Sequence, residues 1–203
     1  YSTSSEDFRN LSKKLSVDFI ETESLNDVYD KIKKYNPDIG ISINWKYLIS
    51  DKILSLFRYG ILNAHPGKLP RYKGNSARNW ALVNGEKQYS QTIHFMDDKL
   101  DSGAVVVQKD FEINKDTSIG EMYGVIKENT PLMFEEALGI ISSNGKYTNK
   151  SNARSLRGYP RIEEDSQINW NLDAEIIDKL VKASSEPFHV AYTFYNSQIL
   201  RIW

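Results

Sequence analysis

The sequence predicts an α/β domain: a mainly parallel sheet wound on both faces by crossover helices. Three observations point there. Short apolar runs alternate with amphipathic stretches through the first two-thirds of the chain. The runs at 38–43 and 61–65 are bounded by proline or glycine. The order strand, helix, strand, helix, strand leaves a crossover between successive strands, the layout of parallel pairing.

In chain order, Phe8, Leu11 and Leu15 recur at near-helical spacing, and residues 17–20 read as a short strand. Ser24 can cap a helix whose Leu25, Val28, Ile32 and Tyr35 share one face, and Pro37 ends it. Residues 38–43 read as a buried strand. Ser50 and Asp51 open a helix through Ile53, Leu54 and Phe57. Gly60 leads into a strand at 61–65, which Pro66 cuts off. After the proline- and glycine-rich loop 66–75, a helix carries Trp80, Leu82 and Val83 and stops near Gly85. Residues 89–97 alternate: Tyr89, Gln91, Ile93 and Phe95 point one way, Ser90, Thr92, His94 and Met96 the other. Residues 100–103 make a turn and 104–107 resume a strand.

Asp116, Thr117 and Ser118 cap a long helix through Met122, Ile126, Met133, Phe134, Leu138 and Ile141, ending at Gly145. Residues 146–165, polar and basic with Arg154, Arg157 and Arg161, read as a linker. Beyond it come Ile168 and Trp170, a short helix with Ile176, Ile177, Leu180 and Val181, then the run 191–195 and, at 199–203, what reads as a strand cut short. The expected division is a core at 1–145 and, at 146–203, a linker, a short helix and the start of a C-terminal β segment. A doubly wound fold usually opens with a strand and a glycine-rich turn, yet no G-x-G-x-x-G occurs here. Either the fold does not hold phosphates that way, or, as expected here, the first strand and helix lie upstream of Tyr1.

The 203 residues are 40% hydrophobic and 26% charged, which excludes wholesale disorder. With 26 Lys and Arg against 27 Asp and Glu, bulk nucleic-acid binding is not expected. There is no cysteine, so disulfides, thiolate metal sites and cysteine nucleophiles are excluded together. No apolar run reaches the roughly 18 residues of a membrane span. The N-terminus lacks the layout of a secretion signal, and the expected location is the cytoplasm.

Asn63 and His65 lie two apart on one short strand, so their side chains share a face at its carboxyl end. In open α/β sheets the reactive crevice lies outside the carboxyl ends of the strands. A carboxamide donor beside an imidazole suits chemistry there; a core histidine with a turn-forming asparagine is the plain alternative.

The wider pattern resembles the formyltransferases that use 10-formyltetrahydrofolate. It comprises Asn63-Ala-His65-Pro66, Leu69-Pro70, Tyr72-Lys-Gly74, Trp80, Gly85, Thr92-Ile-His94 and Leu100-Asp-Ser-Gly103, in order over most of residues 37–141. The family includes methionyl-tRNA formyltransferase, glycinamide ribonucleotide formyltransferase and nucleotide-sugar N-formyltransferases. Arg161, Ile168-Asn-Trp170 and Ala183-Ser-Ser-Glu-Pro187 are similar to a linker shared by the tRNA and sugar branches.

The resemblance implies a doubly wound, Rossmann-like fold and transfer of a formyl group to an amine. Asn63 would donate an amide N–H to the developing oxyanion, a role worth roughly 100- to 1000-fold in rate. His65 would stabilise the same oxygen and shuttle a proton, and Asp101 would hold the imidazole and raise its pKa. As plain sequence, Asp101 before Ser102-Gly103 is also good turn chemistry. Tyr47, Leu48 and Ile49 would line the pterin pocket, with Trp45 as a further apolar wall, and the turn Asp97, Asp98, Lys99, Leu100 would close it; ordinary core is the alternative for these side chains. No metal is expected. His94, mid-strand, reads as a structural histidine and His189 as incidental.

Lys68, Arg71, Lys73 and Arg78 crowd the loop after His65 and suit an anionic amine substrate, though a solvated loop would carry the same charges. Asn75 and Arg161 match positions that contact substrate in sugar-modifying relatives. Asn75 stands where lipid A-modifying relatives carry arginine, and Gly67-Lys68 where tRNA formyltransferases carry serine-leucine. The leading expectation is an N-formyltransferase acting on a nucleotide-linked amino sugar for bacterial surface polysaccharide, with folate as partner and a homodimer through the C-terminal segment. Methionyl-tRNA formyltransferase and a formyltetrahydrofolate hydrolase are the alternatives, with a non-catalytic folate-binding module behind them.

Overall fold

The computed structural model describes residues 4–147 and 155–203, so Arg154 of the expected linker lies outside the described residues. Ser4 opens α1 (Ser5–Leu15) with a capping box: its hydroxyl accepts from the Asp7 N–H, and the Asp7 carboxylate accepts from its own N–H. Residues 17–20, expected as a strand, form none. A strand needs a ladder partner, and among the described residues nothing pairs there. Ser24 caps a 3₁₀ turn (Leu25–Val28) that runs into α2 (Tyr29–Tyr35). Then follow β1 (Gly40–Ser42), α3 (Asp51–Leu54), β2 (Ile61–His65), the short β3 (Tyr72–Gly74) and α4 (Ala77–Val83).

Strands β4 (Gln88–Phe95) and β5 (Val105–Glu112) form a long pair, and α5 (Ile119–Ser142) starts from the expected Ser118 cap. The expected linker contains a strand, β6 (Leu156–Gly158), and a 3₁₀ turn (Glu163–Ser166). Helix α6 (Ala174–Ala183) and a hairpin of β7 (Ala191–Tyr195) and β8 (Gln198–Ile202) complete the chain described.

The main sheet has the order β1-β2-β4-β5. The strand–helix–strand unit through α3 pairs parallel, as expected, with Gly40 opposite Ile61. The two strands that follow turn back antiparallel, so the sheet is mixed. The reason is the connection: residues 96–104 hold no helix, and strands joined without a crossover pair antiparallel. The doubly wound α/β class holds, because both faces are covered. On one face Met133, Phe134 and Ala137 of α5 pack on Leu62, Ile93 and Val107. On the other Ile61 packs with Ile49 and Ile53, backed by Leu25, Tyr29 and Ile32. Residues of β2 thus alternate between two cores, and the carboxyl end of that strand is the point where the second core gives way to a cleft.

Candidate active site

Asn63 and His65 leave β2 on the face of Ile61, beyond the end of that core. Antiparallel register sets His94 opposite Asn63 and Thr92 opposite His65. The β4–β5 register shifts between Ile93 and His94, leaving one extra residue on β5 beside the site. Asn63, His65, His94 and Asp101 all line one cleft of about 500 Å³.

His65 is 3% exposed, with one ring nitrogen hydrogen-bonded and the other beside a carboxylate. Its Nε2–H donates to the Tyr72 carbonyl at 2.6 Å, and Nδ1 lies 3.4 Å from Asp101 Oδ2. That same carboxylate oxygen accepts the Gly74 N–H at 2.7 Å. Strand β3 therefore grips both ends of the pair, which gives Tyr72-Lys-Gly74 a physical task. Gly74 lies at φ 85°, where a side chain would be strained. Gly67 is held by crowding: a Cβ there would lie 2.6 Å from the Tyr72 carbonyl oxygen and 2.8 Å from His65 Nε2. Asp101 itself sits at φ 46° in the left-handed region that Asp tolerates, on the turn expected from its sequence.

Burial pushes the His65 pKa down, while Asp101 and the Tyr72 carbonyl pull it partly back and Arg78 and Lys73 lower it further. The expectation that Asp101 raises the imidazole's pKa holds for its own contribution and fails for the net direction. At the depth of His65, loss of hydration outweighs one carboxylate at 3.4 Å. The ring is thus neutral at pH 7, with Nδ1 free to take a proton that Asp101 would stabilise.

His94 belongs to the site, which its mid-strand position alone did not reveal. Its Nδ1–H donates to the Phe95 carbonyl at 2.7 Å, leaving Nε2 as an acceptor. Asn63 Nδ2 donates to that Nε2 at 3.2 Å. This contact fixes which way the Asn63 carboxamide faces and leaves its second N–H for another acceptor. His94 is a satisfied structural histidine, and what it holds is the candidate oxyanion donor.

Burial, with His65 next, lowers the His94 pKa to about 4. The unfolded chain takes up a proton on this ring near pH 6.5, and the folded chain refuses it until about pH 4. Stability is therefore whole above that window and lost as pH falls through it, by about 3 kcal/mol over the full shift. Urea unfolding across the window should show the decline, and His94→Gln should lessen it, leaving the part due to His65, whose pKa burial also lowers; an equal slope in both proteins would show that His94 contributes nothing to it.

The other expected site residues divide. Tyr47, Leu48, Asn75, Asp97, Lys99 and Leu100 line the cleft. Ile49 is 5% exposed and belongs to the core with Ile53 and Ile61. Asp98 is exposed and outside the lining. Lys68 and Arg71 are not at the cleft: Lys68 Nζ meets Asp110 Oδ2 at 2.6 Å and Arg71 Nη2 meets Glu86 Oε1 at 2.6 Å. Both are paired with acids distant in sequence and lie outside the cleft lining. Arg161 is a tie between segments, donating to the Ala183 and Asp165 carbonyls at 3.0 and 2.7 Å and to the Ser184 hydroxyl at 2.8 Å. The cations that do line the cleft are Lys46, Arg78, Lys99 and Arg157.

The cleft has features that fit a formyl-folate. Trp45, Tyr47, Leu48 and Met96 supply apolar walls for a flat ring. The Trp45 indole N–H is buried without a partner, a donor available to a heterocycle. Among the described residues no cluster of His, Asp or Glu could hold a metal ion, and no helix is long and apolar enough to cross a membrane.

A family model described as formyl transferase matches residues 10–138, and one for the formyl transferase C-terminal domain matches residues 162–203. A methionyl-tRNA formyltransferase of Clostridium tetani is 30% identical over 192 residues, 93% of this chain and 62% of the relative. The chain spans 57–62% of the length of the curated relatives it matches. Among solved structures, a 4-N formyltransferase from Francisella tularensis superposes with a TM-score of 0.75 at 18% identity, over 97% of this chain and 82% of that one. WlaRD, a sugar 3N-formyl transferase solved in the presence of dTDP and 5-N-formyl-THF, gives 0.68 at 20% identity, over 86% of this chain and 61% of that one.

Proposed function

The chain belongs to the formyl transferase family, and on that premise we propose that its cleft transfers a formyl group from 10-formyltetrahydrofolate to a primary amine. The observation that carries the reading is the convergence of Asn63, His65 and Asp101 on one cleft, with His65 Nδ1 3.4 Å from the Asp101 carboxylate. Bound 10-formyltetrahydrofolate would supply the formyl carbon, with Trp45, Tyr47, Leu48, Lys99 and Leu100 as its candidate contacts.

The chain's own residues do the rest. Asn63, oriented by His94, offers its second N–H where negative charge develops on the formyl oxygen. His65 accepts at Nδ1 the proton that the attacking amine sheds as the new C–N bond forms. The resulting imidazolium lies between the Asp101 carboxylate and the Tyr72 carbonyl. It returns the proton to the departing nitrogen as the old C–N bond breaks. Because the resting ring is neutral, it serves first as base and then as acid.

For the acceptor we propose an amino sugar carried on a nucleotide, destined for a surface polysaccharide. Four cations line the cleft, which suits an anionic acceptor. The Gly67-Lys68 pair, standing where tRNA formyltransferases carry serine-leucine, also favours it. The C. tetani relative's name favours a second reading, methionyl-tRNA as acceptor. The test incubates the full-length protein with 10-formyltetrahydrofolate and, separately, amino sugars on dTDP, UDP or GDP, methionyl initiator tRNA, or water alone. We expect one amino sugar to gain the mass of one formyl group. Transfer to the tRNA alone would move the substrate to the second reading, and formate release without an acceptor would make the protein a hydrolase.

A further inference from the structure

Arg78 differs from every other cation near the cleft. It sits on the first turn of α4, and Ala81 and Leu82, three and four residues on, are buried with it. It is 7% exposed, and its guanidinium lies over the Tyr123 ring at 3.9 Å from the centroid. The side chain forms part of the cleft wall beside Asn75 and Ser76. Nη1 is cut off from solvent and has no hydrogen-bond partner. Among the described residues no carboxylate forms an ion pair with it, whereas Lys68 and Arg71 have Asp110 and Glu86.

A buried guanidinium without an anion is a costly arrangement, because desolvation falls on the charge and no counter-charge offsets it. Tyr123 meets the group with its ring face and with a side-chain hydrogen bond, and leaves the Nη1 edge unmet. An edge of this kind is matched by the oxygens of a phosphate or a carboxylate, which accept parallel N–H bonds. Arg78 lines the same cleft as Asn63, His65 and Asp101, so an anion seated on it shares the cavity of the reacting groups.

We infer that Arg78 is the anion-recognition residue of the acceptor site, its Nη1 donating to an acidic oxygen, phosphate or carboxylate, carried by the amine acceptor. That the ligand is an acceptor rests on the formyl-transfer reading; that the cleft binds an anion through Arg78 does not. The residue was read from the sequence as one of four loop cations. Its spacing to Ala81 and Leu82 was the available sign that it faces inward.

The test measures binding directly. Inorganic pyrophosphate and acetate are titrated calorimetrically into the wild-type protein, Arg78→Gln, Arg78→Lys and His65→Ala, each first shown to melt cooperatively. We expect one anion to bind the wild type, with affinity lowered about tenfold or more in Arg78→Gln and partly recovered in Arg78→Lys. Tetrahydrofolate affinity should be the same in all four proteins. Stronger binding of pyrophosphate assigns the oxygen to a phosphate, and of acetate to a carboxylate. His65→Ala should keep the anion affinity while losing transfer, which separates failure of this inference from failure of the reaction. Anion binding unchanged in Arg78→Gln, no anion binding in the wild type, or loss of folate affinity instead would each overturn it. Should Arg78→Gln not fold, the wild-type melt decides: a rise with pyrophosphate beyond that with chloride at equal ionic strength supports the inference, and none overturns it.

Discussion

Replacing His65 with alanine should lower kcat for formyl transfer by about 100- to 10,000-fold, the range that positioned acid–base groups supply. The geometry explains why so much rests on one ring. Nε2–H is committed to the Tyr72 carbonyl at 2.6 Å, so Nδ1 alone can gain and lose a proton. Next to it the second histidine, His94, is held neutral with its Nε2 committed to Asn63, and its pKa of about 4 removes it from proton traffic at pH 7. His94 therefore does not take over. Folate binding should persist, because its candidate contacts, Trp45, Tyr47, Leu48, Lys99 and Leu100, come from other loops. Single-turnover kinetics with a tetrahydrofolate binding curve separates the two effects. A kcat within a few-fold of wild type would mean that the proton moves by another route.

How much of this was legible beforehand depends on how far each feature reaches along the chain. The reactive strand was legible because its determinants are local. Gly60 and Pro66 bound it, and parity alone puts Asn63 and His65 on one face. The turn bearing Asp101 was legible for the same reason, and so were the Ser24 and Ser118 caps. Features made by distant pairings were not. Residues 17–20 have the composition of a strand and no partner. Tyr72–Gly74 and Leu156–Gly158 become strands only because they meet each other across more than eighty positions, with Gly74 opposite Gly158. Lys68 and Arg71 looked like substrate cations because their neutralising partners, Asp110 and Glu86, lie elsewhere in the sequence. His94 required the antiparallel register to be known: only with Asn63 opposite it does a mid-strand histidine become the group that aims the carboxamide.

Asp101→Asn is the sharper probe of the same pair, since it keeps the shape and removes the charge. The carboxamide oxygen can still accept the Gly74 N–H where Oδ2 does now at 2.7 Å, and Asn tolerates the left-handed φ of 46°. The fold should therefore survive, with a melting temperature close to wild type. The countercharge for the His65 imidazolium is what disappears. Burial already holds the pKa of that ring down, and Asp101 is the largest influence raising it. Without it the pKa falls further, and the ring becomes a poorer acceptor for the amine's proton. The expected loss in kcat is about 100- to 10,000-fold, with the His65 ring titrating at lower pH than in the wild type when followed by NMR. The two readouts must move together. A loss of activity with an unchanged His65 titration would make Asp101 a prop for the loop through Gly74. Full activity would show that the imidazolium needs no carboxylate beside it.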